Sequence, residues 1–243
     1  MSRHLMCVMT SPTAGKEQEF QRWYNDQHVP DVMRLPGVLT GQRFRLSSVQ
    51  HKAPPFAQNY VALYDIESDD LEGFNAEIAR RFGTPEMPMS DALALPVVRF
   101  LLDPDSPLLR TDGKTSSSQP ENRHLMCVMT TPADGKEAEF TRWYDEQHIP
   151  DLMRMPGLLS AQRFRLSATQ HKAPPFPQTY LAIYELGTDD LSAFNADLLS
   201  RVGTAAMPLT DALGPGFVRF LLDSITPRWV NEASTATEPA VAR

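Results

Sequence analysis

The sequence predicts an α+β protein made of two βαββαβ units packed sheet to sheet about a pseudo-twofold axis. Three observations carry this. Residues 3–102 align with residues 123–222 at a constant offset of 120, without a gap, and 62 of those 100 positions are identical. That period far exceeds the roughly 20–50 residues of stacked repeats, so it reads as the copying of a whole domain. Within each copy, period-two alternation and helical periodicity succeed one another in the order βαββαβ. A four-stranded sheet with helices on one face needs a cover for the other, and the second copy is at hand.

The elements follow in turn along the first copy. Residues 3–10 are β-rich and alternate, which predicts a strand; Pro12 and Gly15 break it. Over residues 16–27, Phe20, Trp23, Tyr24 and Gln27 fall at i, i+3, i+4 and i+7, one face of a helix. Pro30 suits the opening of a second short helical turn, where its missing N–H costs nothing, and Pro36 and Gly37 end it. Residues 37–47 then alternate as a strand, with Gln42, Phe44 and Leu46 on one face and Arg43 and Arg45 on the other. After the loop QHKAPPF come a strand over 60–66, a helix capped by Asp69 and Asp70 that runs to Arg81 and stops at Gly83, and a strand over 97–102. This is the split βαβ, or ferredoxin-like, order. The expected organisation is a first repeat over 1–102, a linker over 103–122, a second repeat over 123–223 and a flexible tail over 224–243 whose start Trp229 anchors.

The totals exclude more than they identify. A net charge of −7 argues against a general affinity for nucleic acid, which needs many phosphate-neutralising cations. No apolar run approaches the roughly 20 residues that span a bilayer, and no charged-then-apolar leader opens the chain, so a cytoplasmic protein without membrane contact is expected. Cys7 and Cys127 make no disulfide framework. Gly-rich phosphate loops, G-x-S-x-G, C-x-x-C and H-E-x-x-H are missing, which disfavours nucleotide, serine-hydrolase and zincin chemistry. Neither a metal nor another cofactor is expected.

The stretch EFQRWYNDQHVPDVMRLPGVLTGQRFR, residues 19–45, and its counterpart EFTRWYDEQHIPDLMRMPGLLSAQRFR, residues 139–165, resemble the signature of the dimeric α+β barrel superfamily. More narrowly they are similar to its EthD-like branch, where a W-Y-x-x-x-H-x-P-D segment precedes a Pro-Gly and a strand. The resemblance covers essentially all of both repeats. It implies that subunits pair, and this chain would hold both partners as an intramolecular pseudo-dimer, with further homo-oligomerisation left open. The superfamily includes polyketide cyclases, muconolactone-type isomerases, cofactor-free monooxygenases, haem-binding enzymes and stress-induced proteins, so the fold does not transfer a reaction.

All six histidines fall in equivalent pairs. His28 and His148 follow the aromatic helix, each with an aspartate three residues on, Asp31 and Asp151; the resemblance tends to put this histidine in a pocket. An aspartate there would fix the tautomer and leave the other ring nitrogen free to move a proton. The bland alternative is a pair of helix caps. His51 and His171 lie in Pro-bounded loops and are candidates for the same chemistry or for plain solvent exposure. His4 and His124 stay open between structural and pocket roles. Arg43, Arg45, Arg163 and Arg165 could hold a carboxylate or enolate-like oxygen in a polar cavity, or pair with surface acids. Trp23, Trp143, Tyr64 and Tyr184 are candidate substrate contacts, or core. The leading expectation is a cofactor-independent acid–base isomerase, cyclase, dehydratase or lyase acting on a small aromatic or polyketide-like molecule, with one histidine-centred pocket per copy. The alternatives are a cofactor-free or haem-assisted monooxygenase and a non-catalytic small-molecule-binding or stress protein.

Overall fold

The computed structural model describes residues 1–111, 123–174 and 176–231. Among the described residues ten strands are formed: β1 (Arg3–Pro12), β2 (Val38–Leu46), β3 (Tyr60–Glu67), β4 (Leu93–Pro104), β5 (Leu109–Arg110), β6 (Arg123–Thr130), β7 (Leu158–Leu166), β8 (Tyr180–Gly187), β9 (Val218–Ser224) and β10 (Trp229–Val230). The helical segments are α1 (Glu17–Trp23), α2 (Val29–Met33), α3 (Leu71–Arg81), α4 (Glu137–Trp143), α5 (Ile149–Met153) and α6 (Leu191–Arg201). Among the described residues no helix is long and apolar enough to cross a membrane.

The strands make one closed antiparallel barrel. Its order is β2-β3-β1-β4-β7-β8-β6-β9, and β9 returns to pair with β2. The first-half order β2-β3-β1-β4 recurs as β7-β8-β6-β9 in the second half. Corresponding registers differ by 120: Met6 faces Tyr64 as Met126 faces Tyr184. The halves meet at two seams, Phe44–Leu46 on β9 and Leu102–Pro104 on β7. Closure leaves no barrel edge with unpaired N–H and C=O groups.

Local chemistry explains most boundaries. The chain does not break between the first helix and Pro30, as the spacing suggested. A π-helical turn, Tyr24–His28, joins α1 to α2 without interruption. Pro30 cannot donate a helical hydrogen bond, and a widened turn beside it absorbs the loss. Gly37 has φ +85°, and a Cβ there would stand 2.4 Å from the Glu67 carbonyl oxygen, so no other residue fits the approach to β3. Asp70 caps α3 by accepting from the Gly73 N–H at 2.7 Å. Strand β4 begins and ends beyond the expected 97–102. Asp103 and Pro104 continue it, and Leu109–Arg110 pairs with β7. Ser224 likewise closes β9, and Trp229–Val230 pairs with β2. The rest of the expected linker, 112–122, and of the tail, 232–243, lies outside the described residues.

Three apolar clusters result. One fills the barrel from inside, with Cys7, Met9, Phe44, Phe100 and their counterparts. The other two lie between the sheet and the helices of each half, around Phe20, Tyr24 and Tyr64, and around Phe140, Tyr144 and Tyr184.

The loops after β2 and β7 bind across the seams. Gln50 takes the Leu221 N–H at its Oε1 (3.0 Å) and donates from Nε2 to the Leu221 carbonyl (2.8 Å). Gln170 does the same to Leu101, at 3.0 and 2.7 Å. Each amide thereby replaces a strand partner for a backbone that would otherwise be half satisfied. Replacing Gln50 and Gln170 by alanine should therefore cost roughly 1–3 kcal/mol per site, as expected when buried backbone groups lose their partners. Urea unfolding of the single and double variants would test this, and an unchanged midpoint would assign the seam to strand pairing alone.

Candidate functional site

The helix–sheet layer of the first half holds the residues singled out by sequence. Phe20 on α1 and Tyr24 at the start of the π-helical turn are both buried, and the Phe20 ring lies 5.3 Å from those of Tyr24 and Tyr60. The widened turn ends at His28. Its ring stacks on Trp23 at 4.7 Å between centroids and meets the Tyr24 ring edge-on at 4.9 Å. Nδ1 is enclosed and has no hydrogen-bond partner. Burial holds the imidazole pKa down to about 4; Asp31 pulls the other way and Arg43 adds to the depression. His148 repeats the arrangement, stacked on Trp143 at 4.4 Å and held down to about 4 by burial.

The aspartates do not orient these rings, which corrects the expected pairing. Asp31 accepts from Gln27 Nε2 at 2.8 Å and Arg34 Nη1 at 2.7 Å. Asp151 accepts from Gln147 and Arg154, both at 2.6 Å. The chain stays helical through Pro30, so partners at i−4 and i+3 reach the carboxylate first.

Arg43 and Arg45 do share a face, but it is the helix side and not the barrel lumen. β2 turns Gln42 and Phe44 inward instead, toward a cavity of about 660 Å³. Phe44 belongs to the apolar filling of a closed barrel, which forces its neighbours outward. Arg45 and Arg165 are exposed on that outer side. Arg43 is 1% exposed. Its guanidinium lies 4.0 Å from the Tyr24 ring centroid and 5.3 Å from that of Phe20, and Nη1 donates to Asn25 Oδ1. Nη2 has no partner. Burial lowers its pKa, with Tyr24, Tyr64 and Tyr60 opposing the shift. The buried hydroxyls of Tyr24, Tyr64 and Thr10 are near enough to influence one another, yet none makes a hydrogen bond of good geometry. Burial raises the pKa of both tyrosines.

The second half differs where it matters most. Arg163, also 1% exposed, donates from Nη2 to Asp105 at 2.5 Å, and its Nη1 lies 3.6 Å from Asp145. The corresponding positions in the first half are Ile225 and Asn25. The match is one of backbone as well as number: Asp105 N–H donates to the Arg163 carbonyl at 2.8 Å, and Ile225 N–H to the Arg43 carbonyl at 3.1 Å. The Arg163 cation is neutralised by carboxylates; the Arg43 cation meets none among the described residues. Asn25 and Asp105 went unnoticed in the sequence. The Asn25/Asp145 difference is visible in the aligned repeats, whereas Asp105 and Ile225 lie just past their end.

The remaining candidates are spread out. Trp23 and Trp143 tie their helices down by donating to the Pro88 and Pro208 carbonyls, both at 3.1 Å. Tyr64 and Tyr184 lie in the two helix layers, not in the lumen. His51 and His171 are exposed in their loops. Partial burial, Arg99 and Lys172 lower the His171 pKa. His4 has both ring nitrogens engaged, with Asp103 at 2.8 Å and the Ser68 carbonyl at 3.0 Å, and His124 meets Asp223 at 2.9 Å. His4 also lines the cavity of about 660 Å³. Among the described residues no group of three or more His, Cys, Asp or Glu side chains is placed to hold a metal ion.

No protein-family model matches the sequence, and no curated protein is significantly similar to it. Solved structures do share the architecture. An anthrone oxidase-like protein superposes with a TM-score of 0.61 at 11% identity, over 98% of this chain and 96% of its own. Two putative monooxygenases follow. The one from Lactobacillus acidophilus NCFM gives 0.58 at 10% identity, over 96% and 100% of the two chains. The one from Fusobacterium nucleatum gives 0.54 at 11%, over 93% of each. The expectation of an acid–base isomerase, cyclase, dehydratase or lyase is corrected on two counts. These neighbours bear oxygenase and oxidase names, and the His28–Asp31 pairing that was to carry proton transfer is not formed. At such identities the likeness shows the fold alone: the chain is an eight-stranded antiparallel α+β barrel with the architecture of these three structures.

Proposed function

We propose that the protein is a cofactor-free oxygenase of a small, electron-rich aromatic substrate, with the helix layer of the first half as its reaction site. The observation that carries this is Arg43, a buried cation with an Nη2 that makes no hydrogen bond, no carboxylate partner among the described residues, and the side chains of Tyr24 and Tyr64 beside it. Leaving a buried charge unpaired costs several kcal/mol, so such a group is kept where negative charge arrives. Oxygenation supplies that charge. An electron-rich substrate passes an electron to dioxygen, and the reduced oxygen is an anion in a low-dielectric site, where a preplaced cation acts strongly. For a methylene flanked by two aryl groups the balance is simple. The carbon loses two hydrogens and gains a C=O; the second oxygen atom leaves with those hydrogens as water.

The fold likeness to oxidase- and monooxygenase-named proteins supports the reading. The haem-assisted version fits less well, because His28 Nδ1 is enclosed and its ring is held between Trp23 and Tyr24. In the second half Asp105 and Asp145 already satisfy the cation, so Arg163 serves there as structure. We also take the two halves as duplicated ferredoxin-like units of an EthD-like barrel, a pseudo-dimer in one chain; the 62 identities at constant offset support this. His28 and His148 then act as packing groups.

Oxygen-electrode assays with anthrone and related electron-rich phenols should show uptake matched to product, unaffected by chelator. Arg43→Gln should lower kcat about 10²–10³-fold, the loss typical of one oxyanion donor, and Arg163→Gln much less. Turnover that continues without oxygen, or a fully active Arg43→Gln protein, would sink the proposal; a Soret band in purified active protein would move it to haem.

The histidines make a separate prediction. A group whose folded pKa is near 4 against an ordinary 6.5 binds its proton less readily when folded. Its contribution is complete above pH 6.5 and is lost as pH falls toward 4, by roughly 2–4 kcal/mol per histidine. Unfolding free energies measured from pH 7 to 4.5 should drop along that slope, and the His28→Asn, His148→Asn double variant should flatten it. An equal slope in the variant would place the titration elsewhere.

A further inference from the structure

The barrel lumen is a second site that the oxygenase reading does not use, since it lies on the opposite face of the sheet from Arg43. Its cavity of about 660 Å³ is within the range of roughly 300–1,000 Å³ that holds small ligands. The walls come in equivalent pairs from the two halves: Phe44 with Phe164, Leu5 with Leu125, Leu63 with Ile183. The space therefore straddles the pseudo-twofold axis and is one cavity per chain. At the Thr10 end the barrel is shut by the aromatic contact of Phe56 with Phe176 (5.8 Å) and Phe220 (5.1 Å). The remaining cavity has apolar walls at Leu5, Phe44, Leu125 and Phe164, carries the polar side chains of Gln42, Gln162, Thr40 and Ser160, and reaches the end where Arg3 begins β1.

The rim of that cavity is cationic in a chain whose net charge is −7. Four arginines line it, Arg3, Arg110, Arg123 and Arg228, against the carboxylates of Asp65 and Glu185. Arg228 pairs with Asp65 and Arg123 with Glu185. Arg3 and Arg110 have no ion pair among the described residues. The rim is also lopsided: Arg228 stands where the other half has Leu108, and Arg110 where the other half has Val230. A cavity with Phe44 and Phe164 in its walls, and with two guanidinium groups at its rim that pair with no carboxylate among the described residues, matches a molecule with an apolar body and one carboxylate head.

We infer that the lumen binds one amphipathic monocarboxylate per chain, its apolar body between Phe44 and Phe164 and its carboxylate at Arg3 and Arg110. Titration calorimetry with sodium dodecanoate on the full chain tests this, with dodecanol as the neutral control. The expected result is one site per chain, dodecanoate at least tenfold tighter than dodecanol, and a loss of at least tenfold in Arg3→Gln, Arg110→Gln. Both substitutions are at the exposed rim, so the fold is retained, and Arg43→Gln should bind dodecanoate normally, which separates this site from the proposed reaction site. Equal binding of dodecanol, two sites per chain, or full affinity in the rim variant would overturn the inference.

Discussion

Strand pairing between the two halves, β2 with β9 and β4 with β7, is the constraint on which the rest of the molecule depends. Each half alone would present two sheet edges and one uncovered apolar face. The seams remove both at once. They also decide which side of every strand is inside, because alternation leaves only two choices and the apolar filling of the lumen takes one of them. Phe44 goes in, so Arg43 goes out under the helix. The loop amides of Gln50 and Gln170 complete the closure by acting as strand partners where no strand continues.

That choice of faces sets the electrostatics of the helix layers. A guanidinium placed beneath α1 must be satisfied there, by rings, amides or carboxylates. The first half uses the Tyr24 and Phe20 faces and Asn25; the second uses Asp105 and Asp145. A pair of identical subunits could not differ in this way, since any change would appear in both. Within one chain the halves can diverge, one keeping an open cation and the other closing it with a salt bridge. The same freedom produces the lopsided arginine rim of the lumen.

Much of this was legible in the sequence. The element order, the aromatic helix face, the Asp70 cap, the Gly37 turn and the split of β2 into two faces all follow from local spacing and residue chemistry. The repeat offset foretold which strands and registers would recur. The histidine pairs were visible too, but their meaning was not. His28 and Asp31 are three residues apart, yet whether they meet depends on the backbone between them. A turn broken at Pro30 would have joined them, whereas the continuous helix gave Asp31 to Gln27 and Arg34.

The sequence by itself determined the α+β class and the order of strands and helices, because periodicity and turn chemistry are local. It could not determine which face of β2 looks inward, since Phe44 and Arg43 can each be buried once suitable partners exist. Nor could it show that Asp105, just past the first repeat, would neutralise Arg163 while Ile225 offers Arg43 no carboxylate. Those outcomes are contacts between segments far apart in the chain, and only closure of the barrel brings them within reach.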